Sequence, residues 1–205
     1  MSFLLSRTMN VVFAVLLLIV TAPIFLLGAL TVFLDSGYPI FFCQKRVGRN
    51  GKLFTLFKLR TMKKVPVNDG GGPENFLEQT SKITRVMRAL SIDELPQLIN
   101  VIKGDMNIVG PRPLLPEYEE IYTAEQSRRH QVKPGITGWA QINGRNSLEW
   151  EERLSMDIWY VDNRSLLIDL RIILATPFAM FFKGGINSSE CETMPKLTKK
   201  RRSNC

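Results

Sequence analysis

The chain has 205 residues and a net charge of +8, enough for one domain, or one domain and an anchor. Its 45 % hydrophobic content is ordinary for a packed core, and the positive excess implies an anionic partner: nucleic acid, an acidic lipid surface or a phosphorylated substrate. Cys43, Cys191 and Cys205 form no CxxC pair and His130 is the single histidine, which excludes a zinc site and reads as free thiols in a reducing compartment.

From Thr8 to Leu34 no residue is charged, and Val, Leu, Ile and Phe dominate. About 20 apolar residues suffice to cross a bilayer. The run exceeds the apolar region of a signal peptide, and Ser36-Gly37-Tyr38 makes a poor cleavage site. Membrane insertion is therefore expected. Pro23, beside Ala22, sits near the centre of the run and removes a helix hydrogen bond. Arg7 precedes the segment, and Lys45, Arg46, Arg49 and Lys52 follow it. Such a proline either kinks a spanning helix or breaks it sharply enough to turn the segment back, and the sequence leaves both open. Re-entry at a break near Ala22-Pro23 keeps all of these charges on the cytoplasmic side, which slightly favours it.

Ile40 to Phe42 and Leu53 to Phe57 read as strands, with turn chemistry at Gly48, Asn50 and Gly51, hence a hairpin. Val65 to Glu74 reads as a surface loop. Helices are expected over Ile83 to Leu90 and over Glu94 to Ile102, the second stopped by Gly104. Gly110-Pro111-Arg112-Pro113 reads as a rigid extended segment, either a plain turn or an arginine held to meet phosphate. Leu114 to Thr123 and Ala124 to His130 read as helical, with His130 at the surface. Lys133 to Trp139 and Gly144 to Asn146 read as glycine loops. Ser147 to Val161 reads as a helix capped by Ser147. Ser165 to Phe182 follows with a broad apolar face, suited to the core or to the membrane interface. The tail carries Lys196, Lys199, Lys200, Arg201 and Arg202, a solvated end able to hold anionic headgroups. The fold expected is mainly α with a small β-hairpin. An N-terminal re-entrant membrane helix spans 1–36, a compact cytosolic catalytic domain with interfacial amphipathic helices spans 37–185, and a basic tail spans 186–205.

The densest chemistry lies in Ser91-Ile92-Asp93-Glu94-Leu95-Pro96-Gln97-Leu98. Ser91 with Glu94 fits a capping box, and Asp93 in the first turn favours the helix dipole. Two adjacent carboxylates diverge by about 100 degrees on a helix, so one can cap while the other faces substrate. An ionised carboxylate can act as a nucleophile or hold a divalent metal. Lys58, Arg60, Arg88, Arg112 and Arg145 are candidates to bind the phosphates of a substrate, the first two more weakly.

Phe41 to Gly48, Phe57-Lys58-Leu59-Arg60-Thr61-Met62, Ser91 to Leu98, Lys103 to Met106, Val109 to Pro113 and Pro134 to Gly138 resemble, in this order, the small monotopic bacterial phosphoglycosyl transferases, the bacterial sugar transferase family. The match reaches from the apolar N-terminus to about Asp169. It departs from the family pattern at Ala22-Pro23, where Ser-Pro is usual, at Asn10, where Asp is usual, and at Leu59. The resemblance implies transfer of a sugar-1-phosphate from a UDP-sugar to polyprenol phosphate (undecaprenyl phosphate), with release of UMP. It implies Asp93 as nucleophile and Mg²⁺ ligand, Glu94 as its catalytic partner, and a phosphosugar-aspartate intermediate. It also implies a membrane helix broken at Pro23 and a catalytic domain on the cytoplasmic face of the bacterial inner membrane, among membrane lipids, with no nucleic-acid partner. Two other classes fit the residues less well. A membrane-anchored basic adaptor leaves Asp93 and Glu94 as mere caps. A metal-dependent phosphodiesterase needs no lipid acceptor.

Overall fold

A computed structural model describes residues 3–63, 80–144 and 148–182. Helix α1 (Phe3–Ser36) runs through Ala22 and Pro23 as one element. At 1.5 Å per residue its 34 residues extend about 51 Å, and Arg7–Ser36 is long and apolar enough to cross a membrane. Leu16, Ile19, Val20, Leu26, Leu27 and Leu34 are more than half exposed. Only a narrow stripe docks onto the rest of the chain. Ala14 and Val32 are fully buried, and Gly28 lies against Ile92, Leu59 and Met87, where a Cβ would stand 3.0–3.2 Å from their side chains.

Both ends of α1 are tied to the same body. The Arg7 guanidinium donates to the Val101 and Ile102 carbonyls, and Asn10 Oδ1 accepts from the Ile108 amide at 2.7 Å. At the other end Arg60 donates to the Ser36 carbonyl and, at 2.9 Å, to that of Gly37. These arginines satisfy the carbonyls that helix C-termini leave unpaired.

The expected hairpin forms. Strand β1 (Phe41–Val47) pairs antiparallel with β2 (Leu53–Leu59) from Phe41 opposite Leu59 to Val47 opposite Leu53. Asn50 and Gly51 take left-handed φ of 56° and 75° at the turn, the conformation these residue types tolerate. Helix α2 (Lys82–Ala89) is capped by Ser81 and Thr84 in a reciprocal box, and α3 (Gln97–Lys103) ends at Gly104 with φ 95°.

Several expectations need correction. Ser91 does not cap a helix: it is left-handed (φ 54°) and makes no side-chain cap bond. Ile92–Glu94 form a single 3₁₀ turn, and α3 begins only after Pro96, which needs no donor at a helix start. The stretch 114–123 is not a helix but one 3₁₀ turn, Pro116–Tyr118. The chain restarts at α4 (Ala124–Ser127) behind a Thr123–Gln126 capping box and continues as a 3₁₀ turn, Arg128–Gln131.

His130 is not a surface residue. Its side chain is 11 % exposed, its ring lies 5.9 Å from that of Tyr122, and Nε2 stands 2.8 Å from Glu119 without the alignment of a hydrogen bond. The stretch Lys133 to Trp139 is not all loop: β4 (Gly135–Thr137) pairs parallel with β3 (Asn107–Val109). A Cβ on Gly135 would fall 2.1 Å from the Gly110 nitrogen, so these glycines exist for backbone contact.

Short α5 (Trp139–Asn143), α6 (Trp150–Asn163) and α7 (Leu166–Phe182) complete the fold. Helix α6 starts after Glu149. The expected Ser147 cap, the loop over Val65 to Glu74, and the basic tail all lie outside the described residues.

The main core joins Phe54 and Leu56 of β2, Leu98 and Val101 of α3, Ile108 and Val109 of β3, Tyr160 of α6, and Ile172 of α7. Ala14 of α1 belongs to it as well. The architecture is therefore mostly helical with a small antiparallel hairpin, as expected. One face of α7 packs into this core, whereas Leu167, Leu174 and Phe178 remain 62–78 % exposed.

Candidate active site

The turn at Ile92–Glu94 lies between α2 and α3 and packs on β2 and α1. Its position is set by α3. Asn100, fully buried, donates to the Thr55 carbonyl at 2.7 Å and accepts from the Phe57 amide at 3.1 Å. One side chain thus grips β2 as a neighbouring strand would, and it sets the height of Lys58, the next residue along. Lys58 Nζ reaches Glu94 Oε1 at 2.6 Å.

Glu94 is the hub. Arg112 Nη2 meets the same Oε1 at 2.6 Å, and Arg112 Nη1 stands 3.4 Å from Oε2. The glutamate side chain is 14 % exposed. Burial disfavours its charge, but the charges and hydrogen bonds of Arg112 and Lys58 outweigh that and hold its carboxyl well below the usual range. Glu94 is therefore an anion at any physiological pH. The capping role open to it in the sequence is taken over by this pairing.

Asp93 is different. It is 6 % exposed, and among the described residues no group donates a hydrogen bond to its carboxylate. Burial pushes the Asp93 carboxyl up to about 6, with the Glu94 charge adding to the push and Lys58, Arg88 and Arg112 opposing it. A desolvated, unpaired carboxylate ringed by cations is suited to attack phosphorus or to meet a metal-bound phosphate.

Of the arginines and lysines named from the sequence, Lys58 and Arg112 touch the dyad, and Arg88 acts on it through its charge. Arg60 binds the end of α1 instead, through Ser36 and Gly37. Arg145 lies outside the described residues. Sequence reasoning missed three groups. Arg46 is close enough to Arg112 that burial and then this charge lower its pKa. Asn100 sets the register of β2. The buried pair Arg129–Asp157 stands behind Arg112: Arg129 Nη2 is 2.6 Å from Asp157 and 2.7 Å from the Arg112 carbonyl. Nothing local marks Arg129 or Asp157, because their partners are 17 and 28 residues away.

Among the described residues no three Cys, His, Asp or Glu side chains cluster as a metal cage. The donor set still fits Mg²⁺. That ion binds through one or two carboxylates and takes its other ligands from substrate phosphates and water, and Asp93 offers a carboxylate not committed elsewhere.

An interior carboxylate beside a cation-bound glutamate, packed against a long and largely exposed apolar helix, suits a phosphate-handling site on a membrane-associated protein. The family model described as bacterial sugar transferase matches residues 1–183, and the chain belongs to that family. An uncharacterised sugar transferase of Bacillus subtilis, EpsL, is 46 % identical over 95 % of this chain and 96 % of its own. A Caulobacter vibrioides protein named UDP-glucose:undecaprenyl-phosphate glucose-1-phosphate transferase is 41 % identical over 83 % of this chain and 67 % of its own. The undecaprenyl-phosphate galactose phosphotransferase of Salmonella typhimurium is 36 % identical over 88 % of this chain, which spans 41 % of that longer protein.

Proposed function

We propose that the chain transfers a sugar-1-phosphate from a UDP-sugar to undecaprenyl phosphate, releasing UMP and starting the assembly of a membrane-linked polysaccharide. The family and the activities named for its relatives support the reaction class. The observation that carries it to particular residues is the contrast within the dyad: Glu94 is bound by two cations while Asp93, buried beside it, has no donor among the described residues.

In the proposed mechanism an Asp93 oxygen attacks the phosphorus that bears the sugar. An Asp–O–P bond forms, and the bond to the bridging oxygen breaks as UMP leaves with that oxygen. An oxygen of the lipid phosphate then attacks the same phosphorus, forming the polyprenyl diphosphate sugar and freeing the carboxylate. Splitting the displacement this way keeps the soluble donor and the lipid acceptor from having to react in one encounter. Arg112 and Lys58, fixed through Glu94, face the charge that develops on the donor diphosphate, with Arg88 and Arg145 as further candidates. When bound by Asp93 and the donor phosphates, Mg²⁺ would supply further charge neutralisation.

We also propose that α1 is re-entrant, with the catalytic domain on the cytoplasmic face of the inner membrane. Arg7 and Asn10 at its start and Ser36 at its end all bond to the one globular body, which supports both ends lying on one side. The exposed leucines of α7 extend this apolar surface and suit the interface.

The test is UMP release by purified protein with Mg²⁺, using a panel of UDP-sugars with and without undecaprenyl phosphate. Lipid-dependent release of UMP with formation of the lipid-linked sugar supports the reading. Lipid-independent hydrolysis would mean a phosphodiesterase, and no release from any donor would leave a non-catalytic adaptor.

A further inference from the structure

We infer that Arg129, braced by Asp157, is a positioning residue for Arg112. This rests on the reading of Arg112 as part of the phosphate site.

Arg112 sits between Pro111 and Pro113, so its segment is rigid and lies outside any regular strand. A rigid segment still needs an anchor to fix its direction. The Arg112 carbonyl has one in Arg129 Nη2 at 2.7 Å. Arg129 is itself held: Nε and Nη2 both donate to Asp157 Oδ2, at 3.1 and 2.6 Å, and both side chains are 2 % exposed. Asp157 lies in the middle of α6, on a face that also carries buried Leu154 and Ile158. The connected order is therefore α6, Asp157, Arg129, the Arg112 backbone, the Arg112 guanidinium and Glu94.

Stability alone does not explain this arrangement. Burying an ion pair carries a desolvation cost that an apolar pair of similar volume avoids, and such replacements are often neutral or stabilising. What an apolar pair cannot do is donate to the Arg112 carbonyl. The planar guanidinium serves two acceptors at once, one charged and one peptide, which lysine cannot match in a fixed geometry. A small tilt of the Pro-Arg-Pro segment would carry the Arg112 guanidinium away from Glu94 and from the substrate phosphates.

The experiment compares Arg112→Lys, the paired variant Arg129→Met/Asp157→Leu, and all three changes together, in full-length protein in detergent or nanodiscs. The readouts are the thermal midpoint, kcat and KM for the UDP-sugar. The paired variant is expected to fold with a modestly lower midpoint, because the Arg112 carbonyl and the Tyr122 hydroxyl lose their donor. It should lose between about tenfold and about a hundredfold in kcat, since misplacing a reacting group by about 1 Å costs this much. Adding Arg112→Lys to it should cost far less than it does in the wild type, because both changes disable the same group. Should the paired variant not fold, Asp157→Asn carries the same expectation with a loss on the order of threefold, since it keeps a hydrogen bond but loosens the guanidinium.

A folded paired variant with kcat within about twofold of wild type would overturn the inference, as would losses that simply multiply in the combined variant. Full activity of Arg112→Lys alone would sink the reading of the site and this inference with it. Impaired Arg112→Lys beside an active paired variant would sink the inference only.

Discussion

The Glu94 carboxylate accepts from Lys58 and Arg112 at the same oxygen, 2.6 Å from each. This relationship makes Glu94 an organiser of cations, which supports the proposal that Asp93 is the nucleophile.

Asp93→Asn should reduce UMP release to background, because an amide cannot form the acyl phosphate. Glu94→Gln should be severe in a different way. It releases Lys58 and Arg112 and removes a negative neighbour, so some turnover survives and the thermal midpoint falls. Steady-state assays beside melting curves separate the two. Near wild-type release by Asp93→Asn would rule out the covalent route.

Asn100 offers a test of how the site is built. Asn100→Ala strands the Thr55 carbonyl and the Phe57 amide in the interior. Two unmatched buried groups cost about 3 kcal/mol together. The variant should melt at lower temperature and should also lose activity in the fraction that remains folded, because Lys58 follows directly on Phe57. A drop in melting temperature with unchanged specific activity would show that β2 register does not matter to catalysis.

Acid sensitivity should trace in part to His130. Burial, with the Arg129 charge adding, holds its imidazole down at about 4, against an ordinary value of 6.5. The unfolded chain therefore takes up this proton at higher pH than the folded one. The stabilising contribution is complete above about 6.5 and is lost as pH falls toward about 4. The ring is partly exposed and Glu119 lies beside it, so screening and that carboxylate reduce the loss over this window to on the order of 2 kcal/mol. His130→Gln should flatten the decline between pH 7 and 4.5 in chemical-denaturation midpoints. Parallel curves for variant and wild type would contradict this.

The β3–β4 contact should admit no side chain at Gly135. A Cβ there meets the Gly110 nitrogen at 2.1 Å and the Thr137 carbonyl at 2.6 Å, both backbone atoms that cannot turn aside. Gly135→Ala should cost about 3 kcal/mol or prevent folding, read as lost monodisperse protein after extraction. Normal yield and melting would mean that the two segments are less tightly apposed.

Topology can be tested in intact cells. With both ends of α1 on the cytoplasmic side, a cysteine at position 2 should resist a membrane-impermeant reagent added outside. Pro23→Ala restores a backbone hydrogen bond and should favour a straight, spanning helix. Efficient labelling of the otherwise wild-type sequence from outside would exclude re-entry and leave the chemistry untouched.

Much of this protein was legible along the chain, because the signals are local. An uncharged run of apolar residues dictates a membrane-compatible helix whatever surrounds it. Asn50 and Gly51 dictate a turn through their own φ, and Gly104 ends α3 for the same reason. The adjacency of Asp93 and Glu94 and the stiffness around Arg112 are also properties of neighbouring residues. Where the local signal was ambiguous, tertiary contact decided. Ser91 and Glu94 match a capping box, yet two cations from distant segments attract Glu94 more strongly than a cap amide does, so the box does not form. Lys133 to Trp139 looked like a loop because its glycines suggest freedom, whereas their missing Cβ atoms admit another backbone. His130 looked exposed because its neighbours in sequence are polar, and it is the folding of 118–131 against α6 that encloses it. Sequence determined the long helix, the hairpin and which residues carry charge. Only the tertiary structure decided which charges neutralise one another, because Coulomb attraction acts through space, and so decided that among the described residues Glu94 is spoken for and Asp93 is not.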